Sequence, residues 1–185
     1  MTYAHAASTR RRMLAATGSA ATLGLFSALL ADRSARASQT VTSDRPYWRF
    51  CNKCQVLFYT DARDNLCAAG GKHVPQGYEF RIPFDGAETA TAQRNWRTCK
   101  QCQAMFFNGY AQKGKCPVGG THVADQTWRY VIPHSIGETA RAQAHWRFCN
   151  KCFAMFFNGY SNKGSCAAGG VHVAQGYNFV LPHPR

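Results

Sequence analysis

The sequence predicts an all-β protein assembled from three tandem repeats, on three observations. One motif returns three times at near-constant spacing, each return carries the same cysteine and histidine pattern, and the segments between alternate aromatic with polar residues. The motif is Trp48-Arg49-Phe50-Cys51-Asn52-Lys53-Cys54, seen again from Trp96 to Cys102 and from Trp146 to Cys152. Copies are offset by 48 and then 50 residues.

The first 37 residues read as a targeting segment outside the fold. Thr9-Arg10-Arg11-Arg12-Met13-Leu14 precedes a weakly apolar stretch from Ala15 to Ala31, and Ala35-Arg36-Ala37 supplies small residues for cleavage. The segment resembles a twin-arginine export signal, which implies a secreted or periplasmic protein with no membrane attachment after cleavage. Its Gly, Ser and Thr content argues against an uncleaved anchor. Removing its five arginines and one aspartate lowers the formal charge from +13 to +9, so the chain from Ser38 onward stays basic. That sign favours anionic partners without choosing among nucleic acid, acidic glycans and membrane surfaces.

The repeats are expected at 38–85, 86–135 and 136–185. After its Cys-x-x-Cys, each copy has an apolar run (Val56 to Tyr59, Ala104 to Phe107, Ala154 to Phe157), a polar loop and a third cysteine. A Gly-Gly pair and a histidine follow, and an aromatic segment such as Tyr78-Glu79-Phe80-Arg81-Ile82-Pro83 closes the copy. Short runs of Trp, Phe, Tyr, Val and Ile at period two are half-buried strands. About four per copy are expected, around Trp-Arg-x-Cys, the aromatic run, the His-Val step and the closing segment. The linking stretches Gly86 to Asn95 and Gly137 to His145, rich in Ala, Gln and Glu, have room for a helical turn.

Three cysteines per copy cannot pair among themselves, and nine cannot pair completely at all. Adding the histidine completes a four-ligand set: Cys51, Cys54, Cys67 and His73; Cys99, Cys102, Cys116 and His122; Cys149, Cys152, Cys166 and His172. Cys-x-x-Cys aims two sulfurs from one tight turn, and the Gly-Gly pair permits a second turn that presents the histidine. Mixed sulfur and nitrogen ligation favours zinc over iron, giving three structural ions with no open position for substrate. Thiol-disulfide exchange through the Cys-x-x-Cys pairs is the competing use, but it leaves the third cysteine and the histidine without a role.

No acid pair, nucleophile elbow or phosphate loop recurs among the eight carboxylates beyond residue 37, so no enzyme is predicted. His134, His145 and His183 read as surface or turn residues. Asn108-Gly109-Tyr110 and Asn158-Gly159-Tyr160 read as tight turns presenting a tyrosine. With Lys113 and Lys163, the residues Asn108, Tyr110, Asn158 and Tyr160 form a candidate ligand-binding set in two copies only, because copy one has Thr60-Asp61-Ala62-Arg63-Asp64 in a shorter loop.

Trp-Arg-x-Cys-x-x-Cys, Phe-Phe-Asn-Gly, Cys-Pro-x-Gly-Gly-x-His and the closing aromatic strand resemble those of a poorly characterised family of secreted bacterial and fungal tandem-repeat proteins. The resemblance implies an extracellular repeat protein and carries no assigned activity. Three readings of function remain: a multivalent binder of glycans or acidic cell-surface polymers, a nucleic-acid-binding zinc protein, and a redox protein. The sequence assigns no oligomeric state. Two packings are open, a pseudo-threefold, β-trefoil-like body and three zinc-ribbon-like beads.

Overall fold

Each copy forms one three-stranded antiparallel sheet whose centre is the strand bearing the Trp-Arg-x-Cys motif. The computed structural model describes residues 43–62 and 65–184, and the export segment and its cleavage point lie outside them. In copy one, β1 (Asp44–Cys51) runs between β2 (Leu57–Tyr59) and β3 (Pro75–Pro83). Copy two places β4 (Ala92–Thr98) between β5 (Met105–Phe107) and β6 (Tyr130–Pro133). Copy three places β7 (Ala142–Cys149) between β8 (Met155–Phe157) and β9 (Ala174–Pro182).

Aromatic cross-strand pairs set the register. Trp48 faces Tyr59 on one neighbour and Phe80 on the other, Trp96 faces Phe107 and Tyr130, and Trp146 faces Phe157 and Phe179. Such pairs are the unit of sheet stabilisation, contributing about 0.2–1 kcal/mol each. The register shifts just before Trp48, Trp96 and Trp146, where Tyr47, Asn95 and His145 take φ of 70°, 68° and 67°. This bulge turns the indole inward, and Trp48, Trp96 and Trp146 are fully buried.

The three sheets close on one another. Backbone amides of Tyr59, Phe107 and Phe157 donate to the carbonyls of Gln103 (3.0 Å), Phe153 (3.0 Å) and Gln55 (2.9 Å), so each copy bonds to the next and the third returns to the first. Period two then divides the side chains of the short strands between two shared layers. Leu57 and Tyr59 enter a layer containing Trp48, Trp96 and Trp146, whereas Phe58 enters a second layer with Phe106, Phe156 and all nine cysteines. Both layers draw on every copy, and residues Gln39–Arg185 form one compact unit. The pseudo-threefold packing therefore holds, and separate beads do not.

Two details differ from the expectations. Each copy has three strands instead of four, because the His-Val step carries only an isolated bridge beside it in copies one and three (Leu66 to Lys72, Ser165 to Val171). The connectors contain no helical turn. Thr89 Oγ1 accepts from the Thr91 amide and Glu88 from the Arg94 amide, both at 3.2 Å, and Thr139 and Glu138 do the same for Arg141 and Ala144. These side chains take the amides that a helix would need, which favours the turn.

Candidate metal centres and the loops around them

Two turns build each centre. In the first, the residue after the second cysteine closes a loop on the first: the amides of Gln55, Gln103 and Phe153 donate to the carbonyls of Cys51, Cys99 and Cys149 at 2.8–2.9 Å. These residues have φ of 61–67° although none is glycine. The second turn runs through the Gly-Gly pair, where Cys67 N–H meets Gly71 O at 2.8 Å and Gly70 and Gly71 have φ of 87° and 61°. The expected role of that pair in turning the chain is met.

All twelve predicted ligands meet as three buried groups, with the four donor atoms of each group within 4.8 Å of one another. The nine cysteines are free thiols. Cys51, Cys99 and Cys149 lie 3.9, 4.0 and 3.9 Å from Cys67, Cys116 and Cys166, Sγ to Sγ. Cys54, Cys102 and Cys152 lie 3.4, 3.5 and 3.5 Å from the Nδ1 of His73, His122 and His172. A tetrahedral zinc with ordinary Zn–S and Zn–N lengths needs edges of about 3.8 Å for S···S and about 3.6 Å for S···N. The cages fit such an ion, and the sulfur separations are far from those of a disulfide.

The electrostatics say the same. Hydrogen bonds from Cys54 and Cys67 hold the Cys51 thiol far below its ordinary range, and Cys99 and Cys149 behave alike. The neighbouring Cys54, Cys102 and Cys152 are pushed well up by the sulfurs beside them and by burial. Without a cation the cluster cannot hold three thiolates. Burial opposes the charged imidazole, yet hydrogen bonds and attraction from the thiolates outweigh it and raise His73 and His172 to about 9. The imidazolium there stands in for the missing positive charge.

The second ring nitrogen of the histidine reaches across to another copy. His122 Nε2 lies 3.1 Å from the carbonyl of Cys152, and His172 Nε2 lies 3.1 Å from that of Cys54. With Nδ1 turned to the sulfurs, Nε2–H donates, the usual way in which an outer partner fixes a ligating imidazole. Sequence reasoning missed these contacts, because a backbone carbonyl has no residue signature.

The loop set behaves differently from its reading as tight turns. Neither Asn108 nor Gly109 takes a positive φ, and neither do Asn158 and Gly159, so a two-residue hairpin turn is excluded. Glycine is needed instead because a Cβ on Gly109 or Gly159 would lie 2.4 Å from the ring of Phe107 or Phe157. Lys113 and Lys163 tie the loops down, donating to the carbonyls of Asn108 and Asn158 at 2.7 Å and also to those of Tyr110 and Tyr160. Tyr110 and Tyr160 remain half-exposed, each packed edge-on against Phe107 or Phe157 with ring centroids 5.0 Å apart.

The lone histidines also need correcting in part. His145 is exposed, but His134 and His183 are only 3% and 7% exposed. Each follows the proline that ends a closing segment and lies flat against a tyrosine, His134 on Tyr177 at 3.7 Å and His183 on Tyr78 at 3.8 Å. Burial pushes the His134 imidazole below its ordinary range.

Fold and centres together define a metal-binding, all-β repeat protein. Set against protein-family models, curated proteins and solved structures, the chain has no significant match to any.

Proposed function

We propose that this chain is an exported, zinc-stabilised, non-enzymatic module that binds glycans or acidic cell-surface polymers at several points. The observation that carries this is the pairing of four-donor metal centres with a set of exposed tyrosines. Four protein donors would complete a tetrahedron around a zinc ion held there, which would then contribute folding free energy and leave no vacant position for a reacting water. Five of the exposed large apolar side chains are tyrosines, namely Tyr47, Tyr78, Tyr110, Tyr160 and Tyr177. Tyrosine presents an apolar face and a hydroxyl at little entropic cost, which suits recognition. Repetition around a threefold body raises avidity for a polymer without new contacts.

The thiol-exchange alternative loses support from burial, because reactive cysteines occupy partly exposed sites and all nine here are buried. A glycan and polyanion array probed at several salt concentrations tests the reading. Retention on at least one polymer is expected. Binding that weakens steeply with salt identifies a charge-driven partner, including nucleic acid, and a failure to bind any member of the array overturns the proposal.

A further inference from the structure

We infer that two junctions between copies each hold a subsite for a neutral sugar ring, an inference that rests on the binding-module reading above. At the junction of copies one and three lies a cleft of about 170 Å³ lined by Phe50, Gln76 and Tyr78 on one side and by Gln143, Phe157 and Tyr160 on the other. No charged side chain lines it, in a chain of net charge +13. Aromatic walls with a few fixed polar groups and no charge match a ligand having apolar C–H faces and a hydroxyl edge.

The groups are held in place for this task. His183 covers one face of Tyr78, ring planes 6° apart, so the opposite face is the one left to a ligand. Tyr160 stands edge-on to Phe50, centroids 5.9 Å apart. Gln143 Oε1 accepts the indole N–H of Trp146 at 3.1 Å, which leaves its amide N–H groups free to donate. Arg49 fixes the carbonyl of Gly77 at 3.1 Å. The junction of copies three and two repeats the arrangement: Tyr177 on His134, Tyr110 edge-on to Phe148 at 6.1 Å, Gln93 on the Trp96 indole at 3.0 Å, and Arg147 on the Gly176 carbonyl at 3.0 Å.

The third junction is filled. Arg45 replaces the glutamine, and its guanidinium lies over the rings of Tyr59 (3.9 Å) and Trp128 (4.6 Å) while donating to the Tyr130 hydroxyl at 3.0 Å. The Trp48 indole N–H, which the glutamine would have accepted, has no partner among the described residues. A purely structural role for the tyrosine-glutamine arrangement would call for it at all three junctions.

The test is titration of the full chain with neutral gluco-, chito- and malto-oligosaccharides, with heparin as the sulfated comparison. Expected is binding of at least one neutral oligosaccharide at two sites per chain, unchanged by raised salt. Tyr78→Ala and Tyr177→Ala should each leave one site, weakening the other about tenfold or more, and the double variant should lose both. Both tyrosines are half-exposed, and unchanged metal content and near-ultraviolet circular dichroism will report an intact fold. If the double variant binds array polymers as the parent does, the clefts are overturned and the binding-module reading stands. If the parent binds no ligand at all, both fall.

An independent set of contacts points to unequal metal retention, with the centre of copy one the first to empty. The histidine-to-carbonyl contacts run from copy two to copy three and from copy three to copy one. The remaining link, from His73 into copy two, is missing, and among the described residues His73 Nε2 is buried without a partner. Copies two and three seat this contact with Gly114 and Gly164 in the loop before the third cysteine, whereas copy one has a shorter loop with Asn65 two residues before Cys67. Loss of such an outer partner typically weakens a metal site 10- to 100-fold. Pulsed alkylation during a chelator titration, read by peptide mass spectrometry, should label Cys51, Cys54 and Cys67 at chelator concentrations about tenfold or more below those needed for the other six. Even labelling, or earlier labelling of copy two or three, overturns the inference.

Discussion

Stripping all three metals should unfold residues Gln39–Arg185 as one body rather than loosen three local turns, with the fold outlasting the first ion lost, that of copy one, and collapsing when the other two centres empty. The cysteines are embedded in a layer with Phe58, Phe106 and Phe156, and that layer is continuous through all copies. Losing an ion leaves three sulfurs and an imidazole facing one another, partly charged, in a site where charge is poorly solvated. Structural zinc in small peptides is worth about 10–16 kcal/mol per site at neutral pH, and whole domains have a stability of only about 5–15 kcal/mol. Chelation followed by tryptophan fluorescence should therefore show Trp48, Trp96 and Trp146, all buried, shifting to longer wavelength together as elemental analysis records loss of the last two metals. A chain that keeps its native spectrum with bare thiols would remove the premise of the proposed role.

Acid should act in the same direction as the chelator. In the metal-free chain the thiolates raise His73 and His172 from 6.5 to about 9, so a proton must leave each before its Nδ1 can ligate. Metal uptake thus releases protons, and affinity climbs with pH and falls on acidification.

The centres were legible in the sequence because ligand chemistry leaves residue types at fixed spacing. Cys51, Cys54, Cys67 and His73 can be read without coordinates. The features that sequence reasoning missed belong to the backbone or to partners distant in the chain. Gln55, Gln103 and Phe153 share a left-handed conformation but have no side-chain type that announces it. His134 and His183 looked like turn residues because nothing local marks a stacking partner, and His183 lies more than a hundred residues from Tyr78. Thr89 and Glu88 sat in a composition that suits a helix, and only their hydrogen bonds to nearby amides decide for a turn. Threefold packing could be favoured from short connectors, but the ring of amide-to-carbonyl bonds that closes it joins different copies.

The histidine-to-carbonyl contacts make two glycines, Gly114 and Gly164, expensive to replace. At Gly164 a Cβ would fall 2.2 Å from the carbonyl oxygen of Cys54, a backbone atom of a metal-ligating turn, and φ is +66°. Gly169 has φ of +91° with nothing within 4 Å of the added atom. Both substitutions to alanine share the left-handed penalty of about 1–2 kcal/mol. Only Gly164→Ala adds overpacking, typically about 1–3 kcal/mol more, because the Cys54 carbonyl is itself held by His172 and cannot retreat freely. Gly164→Ala should thus destabilise the fold by about 2–5 kcal/mol against about 1–2 kcal/mol for Gly169→Ala, read from denaturant midpoints at full metal occupancy. Equal losses would mean that the loop of copy three does not bear on the metal turn of copy one. A larger loss at Gly164, accompanied by weaker metal retention by Cys51, Cys54 and Cys67, would place the coupling between copies in that single contact.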